Sequence, residues 1–225
     1  MRSTDLAKPT VPISYVLLTL ELAAAHGVGR DAMLKGTEVT TRMLTDPDAR
    51  IGLLQYGQIC VHALQKTGNA ALGYEFGLRQ TLTVHGFVGL GLMSQATLRD
   101  AIEFVVRYYA PLRLPGWNLR HFTDGAQAVV EARETVPYGV LRQYALDMML
   151  VSLVSMLRPF LPRKPDLELW FDCAQPAYYP RYRRRLPAAR FERGGNQLRM
   201  PIKHLDLPLA TANTITAQLV ARECE

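Results

Sequence analysis

The spacing of apolar positions predicts that the chain begins with helices. In residues 14–26 the apolar side chains recur every three or four positions, the spacing of one helix face, at Val16, Leu17, Leu20 and Ala24. Ser14 is predicted to cap the start of this helix and Gly27 to stop it, because a short hydroxyl side chain and a glycine are typical of those two ends.

Two further helices are predicted before residue 70. The first is short and covers residues 31–35. The second covers residues 52–67 and ends at the Gly68-Asn69 breaker. Its predicted buried face consists of Leu53, Tyr56, Cys60 and Ala63. The first third of the chain is therefore predicted to be mainly helical.

The clearest helix signal begins at Thr97. Thr97 and Asp100 have the spacing of a capping box, in which each residue's side chain bonds the other's backbone N–H. The predicted buried stripe that follows is Leu98, Ala101, Ile102, Val105 and Tyr109. Pro111 and Pro115 are predicted to end the helix, because proline lacks the N–H that a helix interior needs.

A β-hairpin is predicted after this helix. Residues 117–123 and 127–134 have strand-like patterns, and Asp124-Gly125 between them supplies the positive φ that tight hairpin turns require.

The remaining third mixes one long apolar helix with short strands. Residues 140–157 are rich in Leu and Met and are followed by Pro159 and Pro162, which predicts a buried helix packed on the sheet. Further along, a strand is predicted over residues 167–171 and a helix over 179–186. Two short strands are predicted at 190–191 and 197–200, around a Gly-Gly-Asn turn. The last stretch, residues 210–225, is predicted to be the start of a helix.

This order of elements predicts an α+β fold, with a helical N-terminal part packed on a small, mainly antiparallel β-sheet. No Pro/Gly/Ser-rich stretch is long enough to separate two cores, so one compact domain is expected. The composition, with 48% apolar and 20% charged residues among 225, is that of a folded globular protein.

Composition also bears on the compartment. No segment has the ~20 continuous apolar residues that span a bilayer, so no membrane association is expected. The three cysteines, Cys60, Cys173 and Cys224, are scattered and form no C-x-x-C pair. A reducing, cytoplasmic location is therefore predicted.

Signals for enzymatic chemistry are weak. The glycines Gly86, Gly89 and Gly91 resemble a phosphate loop only superficially, because no strand precedes them and no helix is predicted to start before Leu98; close packing is the favoured interpretation. The five histidines lack metal-ligand spacing, and no Ser or Cys lies in a nucleophile signature. We therefore expect no metal, no cofactor and no enzymatic activity.

Aromatic residues suggest a place for a small organic ligand. If a pocket lies between the Thr97 helix and the hairpin, then His85, Tyr108 and Trp117 are the residues expected to face it. Burial in the core is the default alternative for all three, since aromatic rings fill cores more often than they bind ligands.

The charge is unevenly distributed. The formal net charge is +6, and six arginines lie between Arg181 and Arg193. The densest part consists of Arg181, Arg183, Arg184 and Arg185. Such a run can attract nucleic acid, but it lacks the context of a recognition helix and the interleaved aromatic rings of a single-strand platform, so a solvated basic face or an inter-domain contact is favoured.

Three passages resemble a known family. The first, LGYEFGLRQTLTVHGFVGLGLMSQATLRDAIEFVVRYYAPL over residues 72–112, is similar to the signature stretch of the arabinose-binding-type N-terminal domain of AraC/XylS-type transcription regulators. The second runs from Tyr182 through Phe191 to Leu198, and the third is the Leu-Asp-Leu-Pro-Leu element at 205–209.

The resemblance implies a bacterial regulator in which residues 1–209 bind a small organic effector and self-associate. Residues 210–225 would begin a linker helix toward a helix-turn-helix domain that this sequence does not contain and that would bind DNA. A homodimer is expected, with Ile215, Leu219 and Val220 as candidate interface residues. The alternatives are a small metabolite-processing enzyme and a nucleic-acid-binding module that uses the Arg181–Arg193 run.

Overall fold

A five-stranded sheet and a long buried helix organise residues 6–225, the part of the chain that the computed structural model describes. The helices, numbered here in chain order, are α1 (Ile13–Ala25), α2 (Arg30–Leu34), α3 (Thr41–Thr45), α4 (Leu53–Thr67), α5 (Leu72–Arg79), α6 (Phe87–Met93), α7 (Leu98–Phe104), α8 (Ala110–Arg113), α9 (Arg142–Leu157), α10 (Tyr179–Tyr182) and α11 (Thr214–Glu223). The strands are β1 (Pro9–Pro12), β2 (Arg50–Gly52), β3 (Trp117–Asp124), β4 (Gln127–Glu134), β5 (Glu168–Trp170), β6 (Ala188–Arg190) and β7 (Asn196–Pro201). The α+β prediction is confirmed.

The predicted hairpin forms one side of the sheet. β3 and β4 pair antiparallel from Trp117 opposite Glu134 to Asp124 opposite Gln127. Gly125, the first of the two turn residues, has a φ of 56°, which glycine adopts without the steric cost of a Cβ. The strand order is β3-β4-β7-β5-β6, and every neighbouring pair is antiparallel except β5 and β6.

The two strands predicted around the Gly-Gly-Asn turn do not pair with each other, which corrects that part of the prediction. β6 pairs parallel with β5 at the sheet edge, whereas β7 lies between β4 and β5. After β6 the chain passes the end of β5, where the backbone N–H groups of Glu192 and Arg193 bond the carbonyls of Cys173 and Phe171. Burial explains the central position of β7, because Leu198 and Met200 are fully buried there.

The long helix α9 is the centre of the core. It starts at Arg142, after a 3₁₀ turn at Gly139–Leu141, two residues later than predicted. By length and composition alone the stretch Gly139–Phe160 could cross a membrane, but 72% of its most apolar window is buried inside the protein. It is therefore the core helix that the apolar pattern predicted. Helix α5 packs directly on it, because Gly73 and Gly77 leave no room for a Cβ against α9.

The capping box at Thr97 is confirmed. Thr97 Oγ1 accepts from the Asp100 N–H at 3.2 Å, and the Thr97 N–H donates to Asp100 Oδ2 at 3.1 Å. Pro111, however, does not end the helix. A π-helical turn at Val105–Tyr109 connects α7 to α8, so Pro111 lies in a new first turn where its missing N–H is tolerated. The helix ends at Arg113, ahead of Pro115.

The N-terminal helices follow the predicted pattern except at one cap. α1 begins at Ile13 after Pro12, so Ser14 is not its N-cap; the Ser14 hydroxyl donates instead to the Val84 carbonyl at 2.9 Å. The stops at Gly27 and Gly68 are confirmed by φ values of 80° and 64°. The short two-stranded sheet of β1 and β2 was not predicted.

The glycine cluster is helical, which corrects the expectation that no helix begins before Leu98. α6 starts directly after Gly86. The expected close packing is confirmed, because a Cβ on Gly89 would overlap the Leu82 carbonyl and one on Gly91 would overlap the Phe104 ring.

The C-terminal third contains shorter helices than predicted. α10 is a single turn over Tyr179–Tyr182 rather than a helix to residue 186. The last helix, α11, begins at Thr214, where the Asn213 side chain accepts from the Thr216 N–H at 2.9 Å.

Candidate functional site

A cavity of about 230 Å³ lies between α4, α9 and the segments that enter and leave the hairpin. Its walls are mostly apolar. The lining residues are Leu6 near the N-terminus; Leu53, Leu54, Tyr56, Gly57 and Cys60 of α4; Leu114; Val136, Pro137, Tyr138 and Leu141; and Tyr144, Ala145 and Met148 of α9. Concave, mostly apolar sites with a few polar groups are the usual form of small-molecule sites.

Three tyrosines supply the polar groups of this cavity. The Tyr56 hydroxyl lies 3.3 Å from Thr19 Oγ1 and 3.9 Å from the Met148 sulfur. The Tyr138 hydroxyl is buried and has no hydrogen-bond partner within residues 6–225. The buried Tyr144 hydroxyl interacts with Tyr56, Thr19 and the Cys60 thiol on the same wall. Since a buried hydroxyl without a partner costs roughly 1–3 kcal/mol, Tyr138 gains most from a polar atom of a ligand, and Tyr144 is a second polar group beside it.

The part of the cavity wall formed by residues 6–225 is electrically neutral. None of the lining residues in that part of the chain is a carboxylate, lysine or arginine. Burial raises the pKa of the Cys60 thiol to about 12 and raises the pKa values of Tyr56 and Tyr144 well above their ordinary range. All three groups are therefore protonated at neutral pH, and a charged ligand would enter without a compensating charge.

Of the three residues predicted to face a pocket, Trp117 lies nearest to this cavity. It is buried at the start of β3, and its ring stacks on Tyr138 with 5.3 Å between centroids. It thus contacts a lining residue but does not line the cavity itself. Its indole N–H has no partner in the described part of the chain.

His85 lies elsewhere, in a 3₁₀ turn between α5 and α6. It is fully buried, with Nδ1 2.9 Å from the Tyr15 hydroxyl and its ring edge-on to Tyr109 at 5.2 Å. Burial, helped by the positive charge of Arg113, lowers its pKa to about 3. His85 is therefore a neutral core histidine that does not line the cavity.

Tyr108 is also outside the cavity. It is buried in the π turn against Phe104, with ring centroids 4.8 Å apart, and the Arg107 guanidinium lies 5.0 Å from its ring. The fold therefore does not bring His85, Tyr108 and Trp117 into one site.

None of the lining residues was identified from the sequence as a ligand contact. Tyr56 and Cys60 were predicted to be buried on one helix face, which was a usable signal. Tyr138 lies in a loop without periodicity and carries no such signal.

The basic run is divided by the fold. Arg181, Arg183, Arg184 and Arg185 are exposed around the single turn of α10. Arg190 instead pairs with Glu168 across the parallel strands, and Arg193 stacks on Trp170 at 4.5 Å. All six arginines are exposed, but Arg190 is neutralised by Glu168, and the four around α10 form no ion pair within residues 6–225.

The predicted dimer residues on α11 face different ways. Ile215 and Leu219 are 80% and 58% exposed, whereas Val220 is buried against the same chain. Only the first two are available to a partner.

In the described residues, no group of three or more His, Cys, Asp or Glu side chains is arranged to hold a metal ion.

Comparison with known proteins identifies relatives along nearly the whole chain. Residues 27–209 match the family described as the arabinose-binding domain of AraC transcription regulators, N-terminal. The chain is 33% identical over 218 residues to the ornithine utilization regulator of Pseudomonas aeruginosa. The matched residues are 96% of this chain and 64% of that protein. It is 24% identical over 221 residues to the uncharacterized HTH-type transcriptional regulator Rv1395 of Mycobacterium tuberculosis, with 95% and 64% covered.

A solved structure shares the fold. The transcriptional regulator CdpR from Pseudomonas aeruginosa superposes with a TM-score of 0.66 at 16% identity, over 92% of this chain and 61% of that one. The chain thus spans about two thirds or less of the length of these relatives.

Proposed function

Because the chain belongs to the AraC family of transcription regulators and carries the family's arabinose-binding-type N-terminal domain, we propose that it is the effector-sensing and self-associating part of a regulator. DNA would be bound by a helix-turn-helix domain outside the 225 residues, as the HTH-type relative suggests. Its working location would be the cytoplasm, where DNA and metabolites meet. The relatives are named as regulators, which supports a role without catalysis.

The observation that carries this proposal is the neutral cavity between α4, α9 and the hairpin base. Its volume of about 230 Å³ suits a molecule of small to moderate size. Ligand binding there would favour one arrangement of α4 against α9, since a ligand shifts a conformational equilibrium by its difference in affinity for the two states. That change could then alter the placement of an attached DNA-binding domain.

The wall chemistry defines the class of effector. We propose an uncharged, largely apolar molecule with one or two hydrogen-bonding groups for the hydroxyls of Tyr138 and Tyr144. The name of the Pseudomonas relative raises ornithine as an alternative. Ornithine in this cavity would place several charges against a wall without counter-charges, which is costly, so a neutral effector is favoured here.

Self-association is the second part of the proposal. Ile215 and Leu219 form an exposed apolar pair one turn apart on α11. An exposed apolar strip on a helix commonly marks a protein interface, and a two-fold dimer would place the same strip against itself.

A melting screen with matched variants tests the effector site. Neutral phenols, indoles, lactones and amides are compared with ornithine and with aromatic acids. A ligand that binds only the folded state raises stability by roughly 2.7 kcal/mol at a hundredfold excess over Kd. We expect neutral compounds to give shifts that Tyr144→Phe or Tyr138→Phe reduces by removing a hydroxyl while keeping the ring, whereas a shift caused by an acid bound outside the cavity would be the same in these variants.

Tyr108→Phe is the control, because Tyr108 is a buried tyrosine outside the cavity. Stabilisation that is the same in the Tyr138, Tyr144 and Tyr108 variants would move the effector site elsewhere, and stabilisation by charged compounds alone would refute the neutral-effector proposal.

A further inference from the structure

A second concave region contains a buried positive charge without a negative partner. It is a surface groove of about 670 Å³ formed by the start of α1, residues 44–50, the turn before α6, and Arg113. Arg113 is only 7% exposed. A buried charge is costly unless it is paired, so an unpaired guanidinium at the wall of a groove needs an explanation.

The protein contacts of Arg113 do not neutralise it. Its Nη2 donates to the backbone carbonyl of His85, and its Nε is buried without a partner. Within residues 6–225 no carboxylate lies within the 4.0 Å ion-pair distance of this guanidinium. Gly86, at the groove, would place a Cβ 3.1 Å from Nη2, so glycine keeps the approach to the guanidinium open.

The titratable groups that act most strongly on Arg113 supply no negative charge at neutral pH. They are the phenols of Tyr15 and Tyr109, the Cys224 thiol and the guanidinium of Arg50. Burial raises the pKa of Tyr109 to about 12 and raises the pKa values of Tyr15 and Cys224 as well, so all three stay protonated.

A second arginine lies on the same groove. The Arg50 Nη1 donates only to backbone carbonyls, those of Thr10 at 3.1 Å and Leu112 at 3.2 Å. Arg50 and Arg113 both line the groove and repel each other electrostatically. Asp46 and Asp48 also line it, but neither forms an ion pair with them in the described chain. Two cations that bond only carbonyls leave donors free for an anion.

We propose that this groove binds a small organic carboxylate, held by the guanidiniums of Arg113 and Arg50. A guanidinium fork matches a carboxylate in both geometry and charge. The apolar body of the ligand would lie against Leu17, Phe87 and Leu90, which line the same groove and are partly exposed. This site is separate from the neutral cavity. The two sites share a short piece of chain, in which Arg113 lines the groove and the next residue, Leu114, lines the cavity.

The test compares acids with their neutral amides on the 225-residue chain. Butyrate and benzoate are titrated alongside butyramide and benzamide, with sulfate as an inorganic anion. Binding is followed by the Nε–Hε resonances of the arginines in ¹⁵N-edited NMR spectra. We expect saturable binding of the carboxylates with a shift at Arg113, and binding of the amides and of sulfate weaker by roughly tenfold or more, since charge-assisted bidentate bonds would be lost.

Variants assign the binding to the groove. Arg113→Gln and Arg50→Gln are each expected to weaken carboxylate binding by roughly tenfold or more. Arg181→Gln, at an exposed arginine of the basic surface, and Tyr144→Phe, in the neutral cavity, should leave it unchanged. Arg50 is exposed, so its variant decides the question if Arg113→Gln fails to fold. No saturable carboxylate binding, equal binding of acid and amide, sulfate binding as tight as that of the carboxylates, or unchanged affinity in the arginine variants would each overturn the proposal.

Discussion

The Tyr178 hydroxyl donates a 2.5 Å hydrogen bond to Oδ2 of Asp147, a carboxyl that is fully buried on the core helix α9. Gln143 Nε2 donates to the other oxygen at 2.9 Å. These bonds favour the charged form, but burial outweighs them and raises the pKa of Asp147 to about 7 from an ordinary 3.8. A residue in the middle of the core thus changes charge near neutral pH.

Asp147 predicts a specific dependence of stability on pH. Between about pH 4 and pH 7 the folded state binds more protons than the unfolded state, because the folded carboxyl titrates higher. The contribution of protonated Asp147 is therefore fully present below pH 4 and falls as the pH rises to about 7. The loss is at most about 4 kcal/mol from the size of the shift.

The measurement is the unfolding free energy of wild type and Asp147→Asn at pH 5 and pH 8. Asparagine cannot ionise, so the variant should gain stability relative to wild type as the pH rises. Asp206→Asn, at an exposed carboxylate that pairs with Arg99, is the control and should show no comparable gain. Parallel pH profiles for wild type and Asp147→Asn would show that the carboxyl does not titrate in this range.

The contact between α5 and α9 predicts which glycines tolerate a methyl group. A Cβ on Gly73 would lie 2.5 Å from the Tyr144 carbonyl oxygen, and one on Gly77 would lie 2.6 Å from the Val151 Cβ. Gly73→Ala and Gly77→Ala should therefore destabilise the fold by roughly 1–3 kcal/mol through overpacking.

Chemical denaturation of the two variants measures this effect. Gly194→Ala is the matched control, because its Cβ would meet no atom within 4 Å and its φ is not positive. Neutral substitutions at Gly73 and Gly77 would mean that α5 can move away from α9 at little cost.

The exposed arginines predict weak, salt-sensitive DNA binding by this chain alone. Arg183 and Arg184 carry charge next to the single turn α10, with no helix long enough to read a groove. Binding of duplex DNA should fall steeply with salt, and Arg183→Gln/Arg184→Gln should reduce both affinity and salt slope.

Titrations at two salt concentrations, with a promoter duplex and a scrambled one, check this prediction. The double variant Arg30→Gln/Arg42→Gln makes the same change in charge at exposed sites on α2 and α3 and serves as control. Preference for the promoter that survives near-physiological salt would place DNA reading within these residues.

The apolar strip on α11 predicts a change in oligomeric state. Ile215→Ser/Leu219→Ser should weaken a dimer by roughly tenfold or more in Kd, because two exposed apolar side chains would no longer be buried at the interface. Val140→Ser, at a valine that is 90% exposed elsewhere, controls for a general loss of surface apolarity. Sedimentation velocity over a range of concentrations measures the effect; unchanged association in the α11 variant would exclude this strip as the interface.

Features that depend on neighbouring residues could be predicted from the sequence alone. The capping box at Thr97, the turn at Gly125 and the stops at Gly27 and Gly68 all follow from local backbone chemistry. The apolar period of α4 identified its core face, and the apolar composition of α9 identified it as a buried helix. Such features need no knowledge of the rest of the fold, because a cap or a positive φ is satisfied within a few residues.

Features that depend on distant segments were decided by the tertiary structure. Local spacing did not predict three features: the helix continues past Pro111, β6 lies beside β5, and His85 is buried against Tyr15. The neutral cavity combines α4, α9 and the segments flanking the hairpin, and the groove brings Arg113 within electrostatic range of Arg50, 63 positions earlier in the chain. Whether a side chain is neutralised or left without a partner depends on which atoms surround it after folding, and that environment is set by the packing of the whole domain.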